Sequence, residues 1–584
     1  MKPGPVKELH DYVQEQVTAV VGEIPPHVQR GLGLQTPRDL DFGDVALPCF
    51  LLARVQKVTP VQVAENIAAK ITPDDVIETI TADGPFVNFR FRRETLARTV
   101  ITQVLTDEPP FGQSPPTGEK IVIDYSSPNI AKPFHMGHLR STVIGAALRR
   151  IHRHLGHEVF GINHLGDWGS QFGKVLTAFM HWGSERELAK DPMRHLFELY
   201  VRYGKEADND PTLDEESAKH FQELESGVDN DERKLWQQLR ETSLQAFAGP
   251  YGRLGVDFDR VTGESFYEDK MAAAIERVRA AGILTKSEGA QVVDLKVEGM
   301  PPCILIKSDG TTLYATRDLA AIFYRIETFH FDRALYLVGG EQKLHFRQLK
   351  AVLAKMGLPE ADKIEHVPFG LILSHNDATH RWEKFATRGG NAIFLDEVLD
   401  EAVAQVRTII EEKNPELENK DEVAEKIGVS AIVFNDLKNQ RIKDVRFDWD
   451  QMLNFEGETG PYVQYAGARL SGILRKAGED GERAEDPKTL GHVDFSLLAD
   501  ADRLLLAMLE FGPGVERAAH QNEPSIITNL MIQIASEVHS YLHGYNVIYA
   551  GPELREARLA LVAAARKVLQ RGLGLLGVTA VDRM

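Results

Sequence analysis

Between about residues 121 and 395, short apolar runs rich in β-branched residues alternate with stretches whose apolar positions repeat at helical spacing. The runs predict strands at 121–127, 158–164, 334–339 and 366–373. Strands that alternate with amphipathic helices predict an α/β domain built on a Rossmann-like parallel sheet. Residues 184–250 interrupt the alternation with a highly charged helical insert that includes "DNDPTLDEES". Ahead of this region, residues 1–110 mix a helix, a turn at "DFGDVALP" and a strand-like "GPFVNFRF", an α+β pattern. The stretch 106–120, "TDEPPFGQSPPTGEK", has the proline, glycine and polar residues of a linker. Beyond about residue 395 the pattern is almost wholly helical to Met584, with one polar break at "AGEDGERAEDPKTLG". Three domains are therefore expected, at 1–110, 111–395 and 396–584.

Composition narrows this picture. A chain of 584 residues is too long for one ordinary core. Its hydrophobic fraction of 43% and charged fraction of 26% are those of a soluble globular protein. No apolar run approaches the roughly 20 residues that span a bilayer. The opening "MKPGPVKELHDYVQEQV" does not resemble a signal peptide. Only Cys49 and Cys303 are present, so neither a disulfide framework nor a zinc site is expected, and a reducing cytoplasm fits. The net charge of −19 argues against a nucleic-acid partner. Local patches nevertheless decide phosphate binding, and two exist. One is "LKNQRIKDVR" at 437–446; the other comprises Arg555, Arg558, Arg566, Lys567 and Arg571 in the last helical stretch. Each equally fits an ordinary solvated helix face.

Chemistry concentrates at the seam between the first predicted strand and the helix after it, in "SSPNIAKPFHMGHLRS". A helix N-terminus offers free backbone N–H groups and partial positive charge, which suit a phosphate. Gly137 lets a ligand approach the backbone closely. His135 and His138 can donate to phosphate oxygens, and Lys132 adds a full charge. Alone, H-x-G-H also fits surface or core histidines, but its place after a strand is where doubly wound sheets bind ligands. A second cationic stretch, "RWEKFATRGGN" at 381–391, carries Lys384 and Arg388 beside paired glycines. Such a loop can close on a triphosphate, although a solvated loop is the plain alternative.

Together these stretches resemble a known family. "PNIAKPFHMGH" is similar to the HIGH motif of class I aminoacyl-tRNA synthetases, in the form typical of arginyl-tRNA synthetases. "KFATRGG" resembles that family's KMSKS counterpart. "NHLGDWGSQFG", "GESFYED", "YATRDLA", "VGGEQKLHF", "FDWDQMLNFEGETGPYVQYAGARL" and "RLALVAAARKVLQRGLGLLG" match the same family in order, across essentially the whole chain. The loop departs from the class pattern, because no second lysine follows Lys384. Lys132, just before HIGH, stands where the family is thought to compensate. Glutaminyl or cysteinyl enzymes of the class do not share the pocket acids. Small-acid adenylyltransferases generally lack a long helical C-terminal domain.

The resemblance implies an ATP-dependent ligase that activates arginine and transfers it to tRNA(Arg). It assigns ATP to His135, Gly137, His138, His345 and Lys384, with Lys132 and Arg388 joining the catalytic cations. Ser127, Asn129, Glu264, Tyr314, Asp318 and Gln342 would form the arginine site. The guanidinium calls for carboxylates, here Glu264 and Asp318. Tyr314 and Asp318, four apart, share a helical face. Mg²⁺ would arrive on the ATP phosphates, with no dedicated protein metal site and no tightly bound cofactor. The helical domain would bind the anticodon, with Tyr462, Tyr465, Tyr541, Tyr545 and Met584 as contacts. Asn88 would meet the tRNA elbow from the N-terminal domain. A cytoplasmic monomer, without membrane partners, completes the expectation.

Overall fold

The computed structural model describes residues 7–22, 33–37, 39–113, 117–376, 380–384 and 394–584. At the N-terminal end, β1 (Val45–Pro48), β2 (Ile77–Asp83) and β3 (Phe86–Phe91) form an antiparallel sheet ordered β1-β3-β2. The turn expected at "DFGDVALP" thus ends as a strand. Phe89 and Phe91 of the central strand are fully buried. Asp44 fixes the sheet's end, accepting from the Phe91 N–H at 2.7 Å and from Arg93 at 3.0 Å.

From residue 120 the chain lays down β4 (Lys120–Asp124), β5 (Glu158–Asn163) and β6 (Arg260–Val261). It then makes β7 (Leu284–Ser287), β8 (Ala290–Val293) and β9 (Cys303–Ile306), and returns with β10 (Arg333–Tyr336) and β11 (Ile364–His366). The expected parallel sheet exists and is ordered β11-β10-β4-β5-β6. Its central strand buries Ile121, Val122 and Ile123. Side chains of a strand alternate between faces, so helices must cover both sides. The charged insert occupies the β5-to-β6 crossover as helices Glu185–Lys190, Pro192–Ala207, Thr212–Glu225 and Asp231–Arg253.

Strand expectations fail in two places. The antiparallel sheet β7-β8-β9 was not anticipated, although its turn pair Glu288 and Gly289, both at positive φ, is a hairpin signal. The apolar run 366–373 is also not one strand. It breaks at Pro368 and Gly370, and its end begins β12 (Ile372–Asn376) of another sheet. There β12 lies between β13 (Arg381–Lys384) and β14 (Val445–Arg446), antiparallel to the first and parallel to the second.

The remaining chain is helical as expected. Its last helix, Pro552–Leu576, buries Leu559, Leu561, Val568 and Leu573 among its neighbours. At Gly572 a Cβ would lie 2.1 Å from the Met531 sulfur, so a larger residue would force the buried Met531 side chain to move. The basic residues of this helix are engaged within the molecule. Arg555 pairs with Asp480 at 3.0 Å and Arg558 with Asp500 at 2.5 Å. Arg566 pairs with Glu485, and Arg571 with Asp107. Lys567 donates to the Leu105 carbonyl at 3.2 Å. That patch is a set of structural clasps rather than a phosphate platform. No helix among the described residues is long and apolar enough to cross a membrane.

Candidate active site

The chain runs β4-β5-β6 to one side and β10-β11 to the other, so strand order reverses between β4 and β10. A crevice at the carboxyl ends of the strands is the general ligand site of such sheets. Ser127 through His138 follow β4, Glu264 follows β6, and Gln342 and His345 follow β10.

After Asp124 the strand cannot continue, because Ser126 and Ser127 turn the chain with φ of +73° and +48°. This is why the run expected at 121–127 ends early. Ser127 donates to Asp124 at 3.1 Å, while Ser126 bonds to Thr142 and Tyr251 at 2.7 and 2.8 Å. The helix Met136–His154 then starts with a reciprocal cap. The Gly137 N–H donates to His135 Nδ1 at 3.0 Å, and the His135 N–H to His138 Nδ1 at 3.3 Å. A neutral imidazole that accepts at Nδ1 carries its proton on Nε2. The rings stack with centroids 3.9 Å apart. Burial, with His135 and Lys132 nearby, holds His138 well below the usual histidine range. It is neutral at pH 7. A Cβ at Gly137 would come within 2.7 Å of the His135 ring, so the glycine is required by the cap itself.

The acid cluster lies along the same edge. Asp318, one turn into the helix Tyr314–Phe329, accepts from His345 Nε2 at 2.6 Å. Burial would raise Asp318, but His345, His164 and Arg325 outweigh it and keep the group ionised. Glu264 behaves oppositely. Burial pushes it up to about 8, against the pull of Arg317 and with further push from Asp318, Asp167 and Glu268. Among the described residues its Oε2 accepts no hydrogen bond, and Arg317 stands 3.5 Å away. Arg317 is committed to Glu268 at 2.7 Å. A buried acid of this kind, beside an ionised one, is a site for a bidentate cation.

Continuous contacts join the two clusters. The Gly166 N–H donates to the Pro128 carbonyl and the Ile130 N–H to that of Gly166, each at 3.1 Å. Asn129 packs so closely over Gly166 that a Cβ there would sit 1.9 Å from its amide oxygen. The next residue, Asp167, accepts from the Ser265 N–H and hydroxyl at 2.8 Å each, which fixes Glu264. Arg240 of the insert pairs with Asp167 at 2.8 Å.

Sequence reading named His135, His138, Lys132, Ser127, Asn129, Glu264, Asp318 and His345, and the fold brings them to this edge. Tyr314 is 68% exposed at the start of its helix, and Gln342 is exposed at the end of a short 3-10 turn. Arg388 and the side chain of Lys384 lie outside the described residues. Asp167, Gln171, Arg317 and Arg325 were missed; two of them sit within the family-like segment "NHLGDWGSQFG".

The residues named for the nucleic-acid side differ in exposure. Asn88 is 4% exposed, in the central strand β3 beside Gly43. Tyr541, 5% exposed, holds its hydroxyl toward Asp500, so its ring is no open platform. Tyr465 and Tyr545 are accessible, at 43% and 39%. Tyr465 stacks on His539 at 5.7 Å and Tyr545 lies under Arg558 at 5.2 Å. Tyr462 is half-buried against His539, and the Met584 carbonyl accepts from Asn414 at 3.0 Å.

Comparison with known proteins decides the family. The model of the class I (R) tRNA synthetase catalytic domain matches residues 100–449. A DALR anticodon-binding domain matches 463–584, and an arginyl-tRNA synthetase N-terminal domain matches 7–91. The chain belongs to the arginyl-tRNA synthetases. It is 45% identical to the arginine–tRNA ligase of Exiguobacterium sibiricum, over 94% of this chain and 95% of that one. It is also 45% identical to that of Lactiplantibacillus plantarum, over 98% and 100%. The solved arginyl-tRNA synthetase of Thermus thermophilus superposes with a TM-score of 0.83 at 26% identity, over 99% of this chain and 100% of that one. As a synthetase of this family the chain is an enzyme that charges tRNA(Arg) with arginine.

Proposed function

We propose that charging proceeds by two displacements at the carboxyl edge of the parallel sheet. The arginine carboxylate attacks the α-phosphorus of ATP, which enters with Mg²⁺, and pyrophosphate leaves. The 2′-OH of the terminal adenosine of tRNA then attacks the carbonyl carbon of arginyl-adenylate, and AMP leaves. No side-chain nucleophile is needed; alignment and charge stabilisation carry both steps. His135 and His138 donate from Nε2 to phosphate oxygens, while Lys132, Lys384 and Arg388 supply positive charge. Gly137 admits the phosphates, and His345 joins ATP binding while orienting Asp318. Glu264 and Asp318 take the guanidinium, Tyr314 lines that pocket, and Ser127, Asn129 and Gln342 hold the amino-acid end.

The observation that carries this reading is the meeting of two complementary sets on one edge. Histidines that cap a helix through Nδ1 stand on the same edge as a buried acid, Glu264, whose Oε2 accepts no hydrogen bond among the described residues and suits a guanidinium. In this proposal residues 1–110 meet the tRNA elbow, 111–395 carry the chemistry with the insert at 184–250, and 396–584 hold the anticodon. The enzyme acts as a cytoplasmic monomer. Pyrophosphate exchange into ATP, run with each amino acid and with or without tRNA, tests the scheme. Exchange confined to arginine in the presence of tRNA is expected; exchange with another amino acid would sink the pocket assignment.

A further inference from the structure

Lys132 is held in an unusual way for a surface-loop lysine. Its ammonium lies 4.8 Å from the ring centroid of Tyr200, on the insert helix Pro192–Ala207. It also donates to the Gln171 amide oxygen at 3.2 Å. Both partners are uncharged. Among the described residues it forms no ion pair with a carboxylate. An aromatic face attracts a cation through its quadrupole without neutralising it. A carboxylate in that place would compete with phosphate and cancel the local positive field.

The helix that carries Tyr200 is firmly seated. Asp191 caps its start, accepting from the Arg194 N–H at 3.2 Å, and Tyr203 donates to the Leu213 carbonyl at 3.0 Å. Phe197 precedes Tyr200 by about one helical turn on the same face, and Arg194 precedes Phe197 by about one more. Both reach Phe394: Phe197 at 6.0 Å between ring centroids, Arg194 at 5.0 Å over its ring. Phe394 in turn bridges the backbone of His135. One helix thus touches both the lysine loop and the segment that backs the histidine cap.

We propose that Tyr200 is a positioning residue for Lys132, presenting a neutral ring that orients the ammonium and leaves its whole charge for the triphosphate. The inference rests on the reading of Lys132 as a phosphate ligand. It makes the insert, otherwise a charged excursion, part of the ATP site.

Four full-length proteins test it, assayed for tRNA-dependent pyrophosphate exchange: Tyr200→Phe, Tyr200→Leu, Lys132→Ala, and Lys132→Ala with Tyr200→Leu. Tyr200→Phe keeps the ring and should match wild type. Tyr200→Leu should lower kcat/KM for ATP by about three- to thirtyfold, with KM for arginine unchanged. The double variant should be no worse than Lys132→Ala alone, because the ring acts through the lysine. Equal losses in Phe and Leu variants, losses shared by ATP and arginine, or additive losses in the double variant would each overturn the inference. An unimpaired Lys132→Ala enzyme would instead overturn the underlying reading of Lys132.

Discussion

With Glu264 pushed up to about 8 by burial and by the acids around it, the group is mostly neutral at pH 7. A guanidinium requires the carboxylate, so arginine binding must release a proton from Glu264. Below the pKa of the free site, apparent arginine affinity should then rise as pH rises, by up to about tenfold per pH unit. Binding calorimetry in buffers of different ionisation enthalpy reads the released proton directly. A pH-independent affinity between about pH 6 and 8 would show that Glu264 faces no substrate charge. Asp318 is the ionised partner and needs its charge for another reason. Asp318→Asn removes one of the two counter-charges facing the guanidinium, while its amide oxygen can still accept from His345. A loss of roughly 2 kcal/mol or more in kcat/KM for arginine is expected, with ATP affinity nearly constant. Unchanged arginine kinetics would return Asp318 to a structural role. Asp318 and Glu264 were legible as residues, because their segments match family motifs. Their opposite charge states were not, since Arg317, Asp167 and His345 reach them only through the fold.

At the scale of elements, the helix Met136–His154 shows how one sequence feature does two jobs. His135 and His138 cap the helix through Nδ1, which places the proton of a neutral ring on Nε2, the donor that the proposed mechanism gives to phosphate. The two jobs can be separated. Asn is a strong N-cap residue, so His135→Asn should keep thermal stability while losing the phosphate donor. Its activation rate should fall about 10²-fold. His135→Ala should lose both, at about 1 kcal/mol of stability for the cap. An Asn variant as active as wild type would limit His135 to capping. Elements with clear periodicity were readable from sequence: β4, β5, β10 and the long C-terminal helices. The sheet β7-β8-β9 was not, because its strands are four residues each and too short to show a period. The run 366–373 misled because periodicity cannot tell one buried strand from two that join different sheets. There the break residues Pro368 and Gly370 carried the better signal.

Across the whole molecule, the helical part of the chain after residue 395 is tied to the elements around the parallel sheet at several points. Arg441 donates to the carbonyls of Asn522 and Pro368 at 2.9 and 2.7 Å. Asp444 accepts from the Leu371 N–H at 2.7 Å, and β14 pairs with β12 just ahead of the second cationic segment. Arg140, in the helix that begins at His135, donates to the Lys443 carbonyl at 2.6 Å and pairs with buried Asp436 at 3.0 Å. None of these long-range ties is visible in a linear pattern. They give tRNA binding a physical route to the ATP site, so exchange of pyrophosphate into ATP should require tRNA. The anticodon end can be tested apart from that coupling. Tyr465 and Tyr545 are the more accessible tyrosines of the four, so Tyr465→Ala and Tyr545→Ala should each weaken tRNA binding by roughly 1–3 kcal/mol. Because no phosphate contact is removed, the dependence of binding on salt should stay the same. Tyr541→Phe removes only a buried hydroxyl and should leave tRNA affinity intact. Filter binding across a salt series measures all three. Normal affinity in the Tyr465 and Tyr545 variants would move the anticodon platform elsewhere. Exchange that proceeds equally without tRNA would break the proposed route while leaving the platform standing.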